Sequence, residues 1–174
     1  NDLEVPPTSF KATDLILVAN PVRSADGLSS KKRMVGLTEV RKHWQKDPLN
    51  EGGFVDLLKY NVDKDELEPT QELINGESEI IKSIAGNVAG WAGNWGAVYD
   101  NILLRGKVKQ YIVDQAEKLG KPGLLEAKFN TISNAAFHRI SNEVVADKGV
   151  PWGDDVFEKW VKWFREFCEK EQNL

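Results

Sequence analysis

Thr13-Asp-Leu-Ile-Leu-Val18 predicts a β-strand, because its run of apolar residues suits a strand covered on both faces. A polar, turn-rich segment, Asn20 to Ser30, comes next. The stretch Lys31-Lys-Arg-Met-Val-Gly-Leu-Thr-Glu-Val40 predicts a second strand, which is basic at its start and acidic near its end. Two strands joined by turn residues begin a sheet, so we expect the N-terminal part of the chain to be rich in strands.

A hairpin is expected after Gly52-Gly53. Two strand-like runs, Phe54–Tyr60 and Glu66–Glu68, flank the segment Asn61-Val-Asp-Lys-Asp65. Its Asn and Asp side chains suit a turn, because they hydrogen-bond to nearby backbone groups. The alternative is a short helix over Phe54–Tyr60, since some of its apolar residues also fit the helical period.

Beyond Pro69 the apolar residues recur with the period of a helix. Ser78 is a predicted N-cap for the first helix, whose apolar residues run from Ile81 to Trp91. A longer helix is predicted from about Asn94 to Leu119, before Gly120-Lys-Pro-Gly123. The third carries a stripe from Leu125 to Val144 and ends near Gly149-Val-Pro151. Asp154 or Asp155 is expected to cap the last helix, whose apolar residues are Val156, Phe157, Trp160, Val161, Phe164 and Phe167.

These patterns predict an α+β fold, in which short N-terminal β-strands and a hairpin precede a bundle of about four α-helices. The composition changes near residue 70. We therefore expect a β-rich segment over 1–70 and a helical C-terminal domain over 71–174.

The composition is that of an ordinary globular protein. It is 41% hydrophobic and 29% charged, with a net charge of −4 and one cysteine, Cys168. A pI near 5.3 argues against a dedicated nucleic-acid-binding protein. A single cysteine rules out an internal disulfide and fits a reducing compartment.

The sequence offers no catalytic motif. The phosphate-binding pattern G-x-x-x-x-G-K-[ST] is missing, and so is a nucleophile-elbow sequence. His43 and His138 have no other ligand at metal-binding spacing, and Asp63/Asp65 and Asp154/Asp155 suit turns and caps. We predict no catalytic, cofactor or metal site in this chain.

Two basic clusters and one tryptophan are candidates for partner contacts. The clusters are Lys31-Lys-Arg33 and Arg41-Lys-His-Trp-Gln-Lys46. Trp163 lies off the apolar stripe of the last helix, so it is a candidate for a second interface. The predicted interface residues are Lys31, Lys32, Arg33, Arg41, Trp44 and Trp163.

The order of several motifs resembles the C-terminal region of type II/type IV secretion ATPases, including the motors of archaeal pili and of the archaeal flagellum. Val5-Pro-Pro precedes the first strand, and Lys32-Arg33 opens a second strand that ends in Glu39-Val40. Tyr60-Asn-Val-Asp-Lys-Asp65 is similar to the family's hairpin. The segments starting at Ser78 and Ile102 resemble its following helices, and the likeness extends to about residue 140.

This resemblance implies a non-catalytic C-terminal domain of a hexameric secretion or pilus assembly ATPase. The family's nucleotide motifs would lie before Asn1, in the excised remainder of the motor, so ATP and Mg²⁺ belong to the full-length parent and not to this chain. Residues 1–70 would complete the motor ATPase domain. The implied partners are neighbouring subunits of the hexamer and a membrane platform protein, without nucleic acid and without membrane insertion. The implied location is cytoplasmic, or peripheral at the inner face of the membrane.

Two rival interpretations remain open. One is a free-standing adaptor for protein–protein interaction with the same α+β fold. The other, less favoured, is a nucleic-acid-binding domain that uses residues 31–46.

Overall fold

The computed structural model describes residues 6–23, 27–149 and 151–170. Three parts of the sequence prediction lie outside these ranges: Val5, where the resemblance begins, residues 24–26 of the expected turn segment, and Val150 in the predicted helix break. The end of the chain, residues 171–174, also lies outside them. The chain divides into two compact units, Asn1–Val88 and Ala89–Leu174.

The first unit is built on a four-stranded antiparallel sheet with strand order β1-β2-β3-β4. Three short helices accompany it. Together with the helical second unit, this arrangement confirms the predicted α+β class. The elements are α1 (Pro7–Phe10), β1 (Leu15–Arg23), β2 (Ser30–Val40), β3 (Phe54–Asn61), β4 (Glu66–Pro69), α2 (Gln71–Ile74) and α3 (Glu79–Gly86).

The predicted hairpin is confirmed. β3 and β4 pair antiparallel, so the helical alternative for Phe54–Tyr60 is wrong. The Asn61 side chain accepts a hydrogen bond from the backbone N–H of Asp63 at 3.0 Å, which is the local bond expected of an Asn-led turn. Asp65 closes the turn with a φ of 53°, a left-handed conformation that Asp tolerates better than most residues.

The prediction for the first strand needs correction. β1 continues to Arg23, so Asn20–Arg23 are strand residues and not part of a turn. β1 is also an edge strand and is not covered on both faces, since Leu15, Leu17 and Val18 are 42%, 59% and 39% exposed. Pro21 suits this position, because a residue without an N–H is tolerated at the edge of a sheet.

The core of the first unit lies at the end of β2 and under β3. Val40, Trp44 and Leu57 are at most 2% exposed. Ser78 caps α3 as predicted, since its hydroxyl accepts a hydrogen bond from the N–H of Ile81 at 3.1 Å. The helix ends at Gly86 and does not continue through Trp91, which corrects the predicted length.

The second unit consists of three long helices and one 3₁₀ turn. Asn94 caps the first, which ends at Gly120 in the left-handed conformation with a φ of 62°, so both predicted ends are confirmed. The last helix begins at Gly153, so Asp154 and Asp155 lie in its first turn and are not its caps. The elements are α4 (Trp95–Leu119), the turn Pro122–Leu125, α5 (Ala127–Lys148) and α6 (Gly153–Lys170).

The core of the second unit is built from all three helices. On α6 the predicted stripe is buried at Val156, Trp160 and Phe164, each at most 1% exposed. Phe129 on α5 is also buried, and its ring centroid lies 5.9 Å from that of Phe164. Aromatic rings at this separation add to the stabilisation that burial provides.

The two units divide at a different position from the change in composition. Residue 70 coincides with the end of β4, whereas α2 and α3 belong to the first unit. Both helices follow the hairpin directly, and the backbone N–H of Thr70 donates to the carbonyl of Leu57 on β3 at 3.0 Å. In the described part of the chain, every helix is too short or too polar to cross a bilayer.

Candidate interaction surfaces

Arg33, in the first basic cluster, is paired with a carboxylate of the hairpin turn. Its Nε and Nη2 donate to the two carboxylate oxygens of Asp65 at 2.6 and 2.7 Å. The hydroxyl of Tyr60 donates to the same carboxylate at 2.7 Å. These hydrogen bonds, of which those from Arg33 have the largest effect, hold the pKa of Asp65 well below its usual range. Arg33 therefore fixes the hairpin turn to β2, while Lys31 and Lys32 remain exposed.

Arg41 also serves the interior of the first unit. Its side chain is only 13% exposed, and its Nη1 lies 2.5 Å from a carboxylate oxygen of Glu79. Its Nη2 donates to the carbonyl of Glu77 at 2.6 Å. The guanidinium thus joins the end of β2 to the start of α3.

Beneath Arg41 lies Glu39, a fully buried carboxylate. Its oxygens accept hydrogen bonds from the Ser78 hydroxyl and, at 2.9 Å, from the backbone N–H of Glu79. The Nε of Arg41 lies 3.1 Å from Glu39 but is not aligned for a hydrogen bond, so the contact is an ion pair only. A carboxylate suits this position, because the first N–H groups of a helix lack partners within the helix.

Trp44 is buried and cannot form a surface contact. It is 2% exposed and packs against Phe10, with ring centroids 6.1 Å apart. The Nζ of Lys11 lies 4.7 Å from the centre of its ring. A β-carbon on Gly53 would come within 2.7 Å of Trp44, so only glycine fits beside the indole. Burial removes Trp44 from the predicted interface residues.

Trp163 is partly buried at the border of the second unit's core. Its ring lies between Trp160 and Phe167, with centroid separations of 5.8 and 5.4 Å. It also lines an open groove of about 270 Å³ between α5 and α6, whose rim carries Arg139, Glu143, Lys159, Lys162 and Glu166. Trp163 thus joins the core to a surface of mixed charge.

The structure does not bring the predicted interface residues of the first unit together. Lys31 lies near the start of β2 and Arg41 directly follows its end, so the two are about 30 Å apart at the usual rise of roughly 3.3 Å per residue. Arg33, Arg41 and Trp44 are engaged inside the unit. Among these residues, Lys31 and Lys32 are the ones whose side chains are exposed.

The more prominent surface was missed by the sequence prediction. Leu15, Leu17 and Val18, which we call the apolar edge, are exposed at the margin of the sheet. Leu17 lies opposite Leu37 of β2, so the two share one face. Within the described ranges, no further strand pairs with the outer side of β1. Pro21 was the available signal, since proline within a strand favours an edge position.

Metal binding has no evident site. Within residues 6–23, 27–149 and 151–170, His, Cys, Asp and Glu side chains nowhere gather in threes at metal-binding distance. Comparisons of the chain with models of known protein families and with curated proteins give no match.

Proposed function

We propose that this chain is a non-catalytic C-terminal domain of a hexameric secretion or pilus assembly ATPase, and that it mediates subunit packing. The apolar edge is the observation that supports the packing role. The motif order from the first strand to the helix after Ser78 supports the choice of family.

The apolar edge is an unusual surface for a strand that stays in water. Edge strands of soluble proteins commonly carry charged residues or bulges that discourage pairing. β1 has such features only in its second half, where the bulge follows Val18 and where Pro21 and Arg23 lie. Its first half is the continuous apolar run Leu15 to Val18. A strand edge of this kind favours addition of a partner strand or cover by an apolar surface.

The same surface accounts for the apparent conflict between sequence and structure. The pattern Leu15–Val18 is typical of a strand covered on both faces, yet β1 lies at an edge. Both observations agree if another part of the motor, or a neighbouring subunit, covers β1 in the assembly. The exposed Lys31 and Lys32 would then lie at the polar rim of that interface, where charges steer association more than they stabilise it.

The free-standing adaptor is the second candidate, because an apolar edge would serve an adaptor equally well. The nucleotide motifs separate the two proposals. A secretion ATPase needs a phosphate-binding loop and acidic residues for Mg²⁺, and the resemblance puts all of them before Asn1.

The gene upstream of the Asn1 codon provides the test. We expect an open reading frame that continues in phase and encodes G-x-x-x-x-G-K-[ST] before Asn1. A start codon directly before Asn1, or an upstream frame without such a loop, would reject the motor and leave the adaptor. In either case calorimetric titration of this chain with Mg-ATP should show no binding, and micromolar affinity would contradict both proposals.

A further inference from the structure

A small groove between α4 and α5 has a composition that the proposed packing role does not explain. Its floor is apolar and includes the buried side chains Val108, Ile112 and Phe137. Its rim is polar and carries two cations, Arg105 and Lys109. Further polar groups come from Asn130, Ser133 and Asn134 of α5. We call this recess the Arg105 groove.

Arg105 is held in place without a carboxylate. Its Nε donates to the side-chain oxygen of the buried Asn101 at 3.0 Å. Its guanidinium carbon lies 4.6 Å from the centre of the Phe137 ring, which is a cation–π contact. Nη1 and Nη2 are accessible to solvent and make no hydrogen bond to the described residues. The guanidinium is thus fixed in orientation while two of its nitrogens are free to donate.

The charge of the groove is not balanced locally. Within the described ranges, neither Arg105 nor Lys109 forms an ion pair, whereas Lys107, Arg139 and Lys148 of the same unit each do. Burial lowers the pKa of the Arg105 guanidinium, and no neighbouring carboxylate offsets that effect. Arg105 and Lys109 are also four residues apart on one helix, a spacing at which like charges repel each other.

We propose that the Arg105 groove binds an oxyanion end group, either a carboxylate or a phosphate. The free Nη1 and Nη2 match the planar fork that arginine uses for such groups, and Lys109 adds a second positive charge. The amide and hydroxyl groups of α5 lie across the groove as further hydrogen-bonding groups. The recess measures about 30 Å³, a size that suits an end group.

The binding test uses two probes, one for each source of the anion. NMR of the ¹⁵N-labelled chain is recorded during titration with sodium phosphate, and separately with N-acetyl-glutamate N-methylamide, with sodium chloride holding the ionic strength constant. We expect saturable shifts at the Arg105 Nε–H and at the amides around Lys109 and Ser133. Saturation by phosphate would assign a phosphate ligand, and saturation by the glutamate probe would assign an acidic peptide.

Variants decide whether the groove is responsible. Lys109→Gln changes an exposed side chain and should fold normally while weakening binding several-fold. Arg105→Lys keeps the charge but loses the fork, so it should weaken binding about tenfold or more, as loss of one charged hydrogen bond does. Arg139→Gln is the matched control, because Arg139 is a cation of the same unit that is already paired with Glu143. The proposal is overturned if neither probe saturates, or if both groove variants bind as the control does.

Discussion

β1 of the first unit and α6 of the second are both dense in apolar residues, yet they are covered to different extents. On α6 the stripe consists of Val156, Trp160 and Phe164, each at most 1% exposed. On β1 the apolar edge stays 39–59% exposed. A helix stripe can be covered by two neighbouring helices of the same unit, whereas an edge strand lacks a neighbour on one side. The α6 stripe is therefore covered within its own unit, whereas in the proposed packing role β1 is the element that a partner would cover.

The largest expected effect on stability comes from a substitution in the buried stripe of α6. Trp160→Ala should leave a cavity among tightly packed rings and cost about 3–5 kcal/mol of unfolding free energy. Trp163→Ala is the matched variant on the same helix and should cost less, about 1–2 kcal/mol, because its ring is only partly buried. Denaturant unfolding followed by circular dichroism measures both. Equal losses would mean that α6 is buried on both faces and that Trp163 offers no surface.

The next effect concerns the join between the sheet and α3. Arg41→Ala should leave the buried Glu39 without its counter-charge and cost about 3 kcal/mol. Arg33→Ala provides the control, since the Arg33–Asp65 pair is exposed to water and should contribute much less. Urea unfolding of the two variants provides the comparison. A larger loss of unfolding free energy for Arg33→Ala than for Arg41→Ala would show that Glu39 is not the critical buried charge.

A smaller effect should appear as pH dependence at the hairpin turn. The pKa of Asp65 is lower in the folded state than in the unfolded chain, so its contribution is fully present above about pH 4 and is lost as the pH falls further. Urea unfolding from pH 6 to pH 2 should show the stability difference between wild type and Asp65→Asn shrinking below about pH 4. A difference that stays constant across this range would show that the carboxylate charge does not stabilise the turn.

Much of the fold was predictable from the sequence, because local chemistry determines it. Ser78 and Asn94 cap helices wherever their side chains can reach the free N–H groups, and Gly120 ends one because it adopts a positive φ without strain. The hairpin followed from Asn61 and its neighbours. These signals depend on residues that are close along the chain.

The surfaces were less predictable, because they depend on residues that are distant along the chain. Trp44 stands between basic residues, and only the contacts with Phe10 and Gly53 show that it is buried. Arg33 and Arg41 belong to basic clusters in the sequence, and only the fold places Asp65 and Glu79 beside them as ion-pair partners. Arg105 was noted only as part of the family resemblance, and its lack of a carboxylate partner appears only when α4 and α5 are folded.

The smallest expected change in stability belongs to a substitution on the apolar edge. Leu17→Lys should alter the stability of this chain by about 0.5 kcal/mol or less, because Leu17 is already 59% exposed. Leu49→Lys is the matched control, since Leu49 is 79% exposed and lies outside the strands. Thermal unfolding of the isolated chain should place both variants close to wild type. A large loss for Leu17→Lys would mean that the apolar edge stabilises the unit itself.

The packing role is tested most directly by the mass in solution of the full-length motor proposed above, measured by light scattering. In that motor the wild type and the matched control Leu49→Lys should both assemble as hexamers. Leu17→Lys should remain folded but form smaller species, because a lysine buried at the covered edge would lose its hydration without a partner charge. A Leu17→Lys protein that still forms the hexamer would contradict the claim that the apolar edge packs the subunits.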